Sequence, residues 1–210
     1  MEGDIFQAAA SPSLKSVVVE ALKNIPSTTD ESKSYYEFLK NYYDDADDGS
    51  NNTVEDRIGL LGSGSDHNTF VFYAGIPSLI YGFKIDKKKY PGSTGGYPTY
   101  HTGYETFYLM DTLLDPGFKI LKTCSQLSLH MLLQLTEPTI LPLQPEHIVR
   151  QVEKSLDGME KNNVTRILVD DGAGTAYNRM IEAFEKFKIS VNDWKEKKIT
   201  LSREVTEFPR

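Results

Sequence analysis

The sequence predicts an α/β region followed by an all-helical one, and three observations lead there. Between Ile58 and Phe83 the chain reads strand, turn, short helix, strand, the order that builds parallel sheets. Beyond residue 140 the strand patterns stop, and Glu146–Met159 and Ala173–Trp194 read as amphipathic helices with charged outer faces. The composition, 39% hydrophobic and 25% charged over 210 residues, is that of a globular chain. A boundary near 140 then gives two regions, 1–140 and 141–210: one domain of ordinary size, or one domain and part of a second.

The opening, MEGDIFQAAA, reads as a chain entered partway through a loop or strand, with no basic or apolar leader pattern. Ser11-Pro12 suits a helix start, with Ser as N-cap and Pro at the first helical position. Leu14, Val17, Val18, Ala21, Leu22 and Ile25 follow at helical spacing as far as Pro26. A second helix is expected from Asp30 to Tyr43, with Tyr35, Phe38, Leu39 and Tyr42 on one face. Asp44–Glu55 is polar and reads as a loop. Its acidic run Asp44–Asp48 has no calcium-ligand spacing and reads as solvated charge. Ile58–Leu61 is a short apolar strand, Gly62–Asp66 (GSGSD) a turn, Asn68–Ala74 a short helix, and Ser78–Phe83 a second strand. In such a sheet a ligand would sit at the GSGSD turn, beyond the C-terminal end of a strand. After a loop at 84–97, helices are expected over Thr102–Leu114 and Pro116–Leu135. Pro138 and Pro142 break the pattern before the helical region.

A net charge of −7 argues against a nucleic-acid partner held through its phosphates. The single cysteine, Cys124, excludes a disulfide framework and reads as a packed small hydrophobe. No apolar run reaches a membrane span. Two triplets, Asn51-Asn52-Thr53 and Asn163-Val164-Thr165, match the N-glycosylation acceptor pattern.

The stretch GYPTYHTGYET (Gly96–Thr106) holds the chemistry. Gly96, Pro98 and Tyr100 put His101 on a loop before a helix. Imidazole is the commonest catalytic-zinc ligand, and Glu105, one turn on, is placed to orient it as a supporting carboxylate. The alternative is a surface or capping histidine followed by an ordinary helical acid. The glycines and serines of GSGSD offer backbone donors to a carboxylate or oxyanion. The alternative there is a plain turn capped by Asp66. Neither a phosphate-loop lysine nor GxGxxG spacing is present. Tyr100 is either a phenol donor to a developing oxyanion or a packing aromatic. His67 is expected to point along its short helix, His130 to be packed or satisfied, and His147 to face solvent.

Taken as a series, LGSGSDHxxF (Leu61–Phe70), AGIP (Ala74–Pro77), YPTYHTxxET (Tyr97–Thr106) and LDPGF (Leu114–Phe118) resembles the glutamate carboxypeptidase family of zinc exopeptidases. That family includes the N-acetylated-alpha-linked acidic dipeptidases and has the transferrin receptor as a non-catalytic cousin. AASPSL (Ala9–Leu14) resembles the segment before one of their helices. The resemblance implies that 1–140 is the C-terminal portion of a peptidase α/β domain and 141–210 part of an all-helical dimerisation domain. It implies His101 as a zinc ligand, Tyr100 as the contact to the tetrahedral species, and Ser63, Gly64 and Ser65 as lining the substrate pocket. Two zinc ions per site, a small peptide substrate, a homodimer, and a type II membrane anchor with an extracellular location are further implications.

Three departures qualify it. The family's other metal ligands and its general-base Glu are expected upstream of Ser11-Pro12, which makes this chain a C-terminal fragment, inactive alone. The family's last substrate-contacting loop is expected beyond Arg210. Finally, Ser78–Phe83 carries no arginine where acidic-specific members have an arginine patch, so a neutral or apolar substrate residue is expected. The alternative reading is a non-catalytic binding or dimerisation module of the transferrin-receptor kind.

Overall fold

The computed structural model describes residues 3–45, 52–92 and 99–207. Asp47 and Asp48 of the acidic run, Asn51 of the first glycosylation triplet, and Gly96, Tyr97 and Pro98 lie outside the described residues. The chain forms two compact units, Met1–Pro142 and Leu143–Arg210. It is mostly helical with a small sheet, an arrangement compatible with a piece of an α/β domain.

In the first unit, β1 (Ile5–Ala10) pairs antiparallel with β2 (Leu79–Lys84), in a register that sets Ile5 against Lys84 and Ala10 against Leu79. This corrects the expected parallel sheet. Ile58–Leu61 does not form a strand. It contributes one parallel bridge, in which the Gly59 N–H donates to Ala8 and the Gly59 carbonyl accepts from Ala10. The physical reason is length: Ile58 is 3% exposed and anchored while Leu60, two residues on, is 51% exposed, so the ladder has one rung. The segment Ile5–Ala10, ambiguous in sequence, is the strand that both neighbours share.

Ser11 and Pro12 open a 3₁₀ turn (Pro12–Leu14) that runs into α1 (Lys15–Asn24). Ser11 is not a side-chain cap. Its hydroxyl accepts from the Ser78 N–H at 3.0 Å while its own N–H donates to the Ser78 carbonyl at 2.8 Å, tying the helix entry to the start of β2. Helix α2 (Tyr35–Asp44) begins later than Asp30 because Ser34 and Glu37 form a reciprocal capping box.

The core of this unit lies where α1, α2 and the sheet meet. Phe6, Tyr35 and Phe83 form an aromatic cluster with ring centroids 5.8–6.3 Å apart. Around it Val17, Val18, Ala21, Leu22 and Leu39 are buried. The Tyr35 hydroxyl, inside this core, donates to the Asp4 carbonyl.

A short helix, α3 (His67–Phe72), precedes β2. A long one, α4 (Lys119–Thr136), packs on α1 with Leu127 and Met131 buried, and its Gln134 Nε2 donates to the Val17 carbonyl at 3.1 Å. It starts after Pro116-Gly117-Phe118 because Gly117 (φ 77°) and Phe118 (φ 55°) are left-handed. In place of a normal cap, the buried Asp115 carboxylate accepts from Ile120 and Leu121 at 3.0 and 2.9 Å. Cys124 on this helix is half-buried, and burial pushes its thiol up.

The second unit is helical throughout: α5 (Glu146–Lys161), α6 (Val164–Asp170) and α7 (Gly174–Glu207). α5 carries Glu146 in its first turn and Lys161 in its last, complementing the helix dipole. α6 has no counterpart in the sequence reading; the left-handed Asn163 (φ 57°) separates it from α5. α7 runs well past Trp194, and the Lys198 ammonium lies 4.8 Å from the centroid of the Trp194 ring. His147, expected in solvent, is buried, with Nε2 2.7 Å from Gln144 Oε1. Among the described residues, no helix is long and apolar enough to cross a membrane.

Candidate active-site segments

Tyr100 and His101 form a stacked pair on the surface. Their ring centroids are 3.8 Å apart and their planes 22° from parallel. Tyr100 is 57% exposed and His101 is exposed. His101 holds φ at 58°, a left-handed conformation uncommon for a residue other than glycine. The turn is fixed by Thr102, whose N–H and hydroxyl both donate to the Thr99 carbonyl at 3.1 and 2.7 Å.

Glu105 is expected from sequence to meet the imidazole. Its Oε2 instead accepts from the His101 backbone N–H at 3.0 Å. The reason is local: the helix does not begin at Thr102, so Glu105 lies in the turn with its carboxylate within reach of the main chain. Helical structure starts at Phe107 and is a π-helix over Leu109–Leu114, where the sequence reads as an ordinary α-helix. π-Turns inside helices concentrate at functional sites. The Asp115 N–H closes this one onto the Met110 carbonyl at 2.9 Å. LDPGF is therefore a junction: it ends the π-helix, reverses the chain and caps α4.

The GSGSD segment is an exposed turn leading into α3. Gly64 has φ +98°, open to glycine and strained for other residues. Ser63 and Ser65 are exposed, and Asp66 makes no side-chain cap. The turn is closed by His67, whose Nε2 lies 2.9 Å from the Gly62 carbonyl. A carbonyl only accepts, so Nε2 carries the proton. None of the hydrogen bonds and ring contacts described for His101 reaches this turn. His130 is satisfied as expected, with Nδ1 2.9 Å from Gln134 Nε2.

A polar cluster that the sequence reading missed joins α2 to the turn after β2. The Tyr42 hydroxyl donates to Asp86 Oδ1 at 2.9 Å, and the same oxygen accepts from the Lys88 N–H at 2.8 Å. The Lys88 ammonium lies 4.3 Å from the centroid of the Tyr42 ring and donates to the Tyr42 carbonyl. Burial, and then the bond to Asp86, pushes the Tyr42 phenol up to about 12. Its signal was the spacing of Asp86 before Lys88 and Lys89 at a turn, which reads as turn chemistry.

The donor set bears on zinc. His101 is a single imidazole, and among the described residues no group of three or more His, Cys, Asp or Glu is placed to hold a metal ion. A catalytic zinc takes about three protein ligands. The described residues therefore do not fit a metal pair by themselves.

The fold is compatible with a piece of an α/β peptidase domain, and comparison with known proteins gives peptidase-named relatives. No family profile matches the chain. It is similar to aminopeptidase NAALADL1 of Rattus norvegicus, 26% identical over 94% of this chain and 26% of that protein. It is similar to a probable glutamate carboxypeptidase LAMP1 of Arabidopsis thaliana, 24% identical over 78% of this chain and 21% of that protein. A glutamate carboxypeptidase 2 homolog of Caenorhabditis elegans is 29% identical over 75% of this chain and 20% of that protein. These likenesses support a resemblance to the glutamate carboxypeptidase/NAALAD-like family. The chain spans about a quarter of the length of the aminopeptidase relatives it matches.

Proposed function

We propose that this chain is part of a peptidase-type hydrolase acting on small peptides, and that Tyr100 and His101 are its surviving site residues. The observation that carries the reading is the Tyr100–His101 pair, stacked and exposed on a left-handed turn, in a chain whose relatives are named as peptidases. Tyr100 would donate its phenol to the oxyanion formed when water adds to the peptide carbonyl. Loss of one such donor costs roughly 100- to 1000-fold in kcat. His101 would be a metal ligand. The residues described here do not complete a metal site, so no step is assigned to a metal. Ser63, Gly64 and Ser65 would line the substrate pocket. β2 (LIYGFK) has no arginine, which supports a neutral or apolar substrate residue in place of an acidic one. A homodimer through the helical region 141–210 belongs to the same reading.

Two experiments test it. In the intact protein, Tyr100→Phe should lower kcat on neutral dipeptides by at least roughly 100-fold with KM little changed; an unchanged kcat sinks the assignment. For the 210 residues alone, calorimetric zinc titration should give no tight two-site binding, and dipeptides should not be cleaved. Tight binding at two sites would overturn the reading of an incomplete donor set. If the intact protein cleaves no peptide, the non-catalytic binding module replaces the enzyme.

A further inference from the structure

We propose that Asn163 is an N-glycosylation acceptor, and that Asn163 and Thr165 owe their identity to that modification more than to the fold. This stands apart from the peptidase reading.

Asn163-Val164-Thr165 has the acceptor pattern. Asn163 is exposed, between α5 and α6, with exposed Glu160, Lys161 and Asn162 before it, so a glycan there displaces no packed side chain. Its position is the N-cap of α6, where an asparagine normally accepts a backbone N–H through its side chain. Asn163 makes no such bond. The neighbouring Asn162 is used by the fold, its Nδ2 donating to the Gly158 carbonyl at 2.7 Å. The left-handed backbone at 163 needs only a residue that tolerates φ > 0, a condition glycine meets as well.

Thr165 gives the second observation. Its hydroxyl oxygen is buried and has no hydrogen-bond partner among the described residues. A buried, unpaired hydroxyl costs stability, and valine would keep the shape without that cost. The other triplet supplies the contrast. The Thr53 hydroxyl donates to Asp56 Oδ2 at 2.7 Å and accepts from the Asp56 N–H at 3.2 Å, so its fold alone explains that threonine. Thr165 has no such explanation; recognition of its hydroxyl by a glycosyltransferase supplies one, before folding buries it.

The donor would be an oligosaccharide on a lipid pyrophosphate. A bond forms between Asn163 Nδ2 and the anomeric carbon, and the anomeric C–O bond to the pyrophosphate breaks. The lipid pyrophosphate leaves with the electron pair, and the amide gives up a proton.

The test routes the 210-residue chain through the secretory pathway of a eukaryotic host, with an appended acceptor tripeptide as an internal control. Enzymatic deglycosylation in ¹⁸O-water followed by mass spectrometry marks each occupied asparagine. Asn163 should be occupied in the wild type and in Thr165→Ser, and unoccupied in Thr165→Val and Asn163→Gln. In unglycosylated protein from bacteria, Thr165→Val should melt no lower than the wild type. An empty Asn163 beside an occupied control tripeptide overturns the proposal. So does a Thr165→Val variant that melts clearly lower, because the fold would then account for the hydroxyl.

Discussion

Removing the Asp115 carboxylate probes how the junction between the π-helix and α4 is held. Asp115 is 4% exposed and accepts from the Ile120 and Leu121 amides at 3.0 and 2.9 Å. Those are two of the four amides that the start of an α-helix leaves without a partner inside the helix. A hydrogen bond to a charged acceptor contributes about 1.5–3 kcal/mol, and loss of a helix cap costs about 0.5–2 kcal/mol. The two bonds share one carboxylate and one desolvation, so they do not add in full. Asp115→Ala is therefore expected to cost about 3 kcal/mol, roughly a hundredfold in the local opening equilibrium. Asp115→Asn keeps one acceptor oxygen and loses the charge, and should cost about half as much. Hydrogen exchange read by mass spectrometry over peptides spanning 116–124 measures both, with far-UV circular dichroism in urea as the global check. Protection at the start of α4 in Asp115→Ala within a few-fold of wild type would refute the reasoning.

The remaining predictions concern the core phenol and the GSGSD turn. Burial holds the Tyr35 phenol protonated well above its ordinary value of 10.0. The folded state thus keeps a proton that the unfolded chain releases. Its contribution is full below about pH 10 and is lost as the pH rises beyond it. Phenolate absorbance should therefore show a late cooperative step coincident with loss of helix, absent in Tyr35→Phe. Titration of every tyrosine with the fold intact would contradict this. Gly64→Ala should cost roughly 1 kcal/mol, since φ is +98° while nothing lies within 4 Å of the added methyl. An unchanged melting temperature would show that the turn is not constrained there. Imidazole ¹⁵N NMR of neutral His67 should show the proton on Nε2, and the opposite tautomer would remove its role in closing the turn.

Much of the fold was legible where a pattern repeats or a chemical signal is local. The apolar spacing of Val17, Val18, Ala21 and Leu22 located α1, and Pro26 its end. β2 was readable from its β-rich run, and α5 from its amphipathic period. Three failures share a cause, the competition of side chains for backbone groups. Ser11 looked like a cap but spends its hydroxyl on Ser78. The Ser34–Glu37 box moved the start of α2 from Asp30 to Tyr35, more than one turn later. Asp115 moved the start of α4 past two left-handed residues. The parallel sheet failed differently: strand direction depends on which segments meet, and β1 was not distinct in sequence. At the candidate site, the sequence placed His101 on a loop, as found. It misjudged Glu105, because the carboxylate's partner depended on where the helix began.

Trp194 is the chain's only tryptophan, and it lies on α7 in the unit Leu143–Arg210. Its indole is thus an intrinsic optical probe of the helical unit. The sheet and its aromatic cluster, Phe6, Tyr35 and Phe83, carry no indole at all. An unfolding curve recorded by indole emission would follow the helices while leaving the unit that holds Tyr100 and His101 unseen. A tryptophan placed in that unit, for instance Phe38→Trp on α2 beside Tyr35, combined with Trp194→Phe, would let indole emission follow that unit alone.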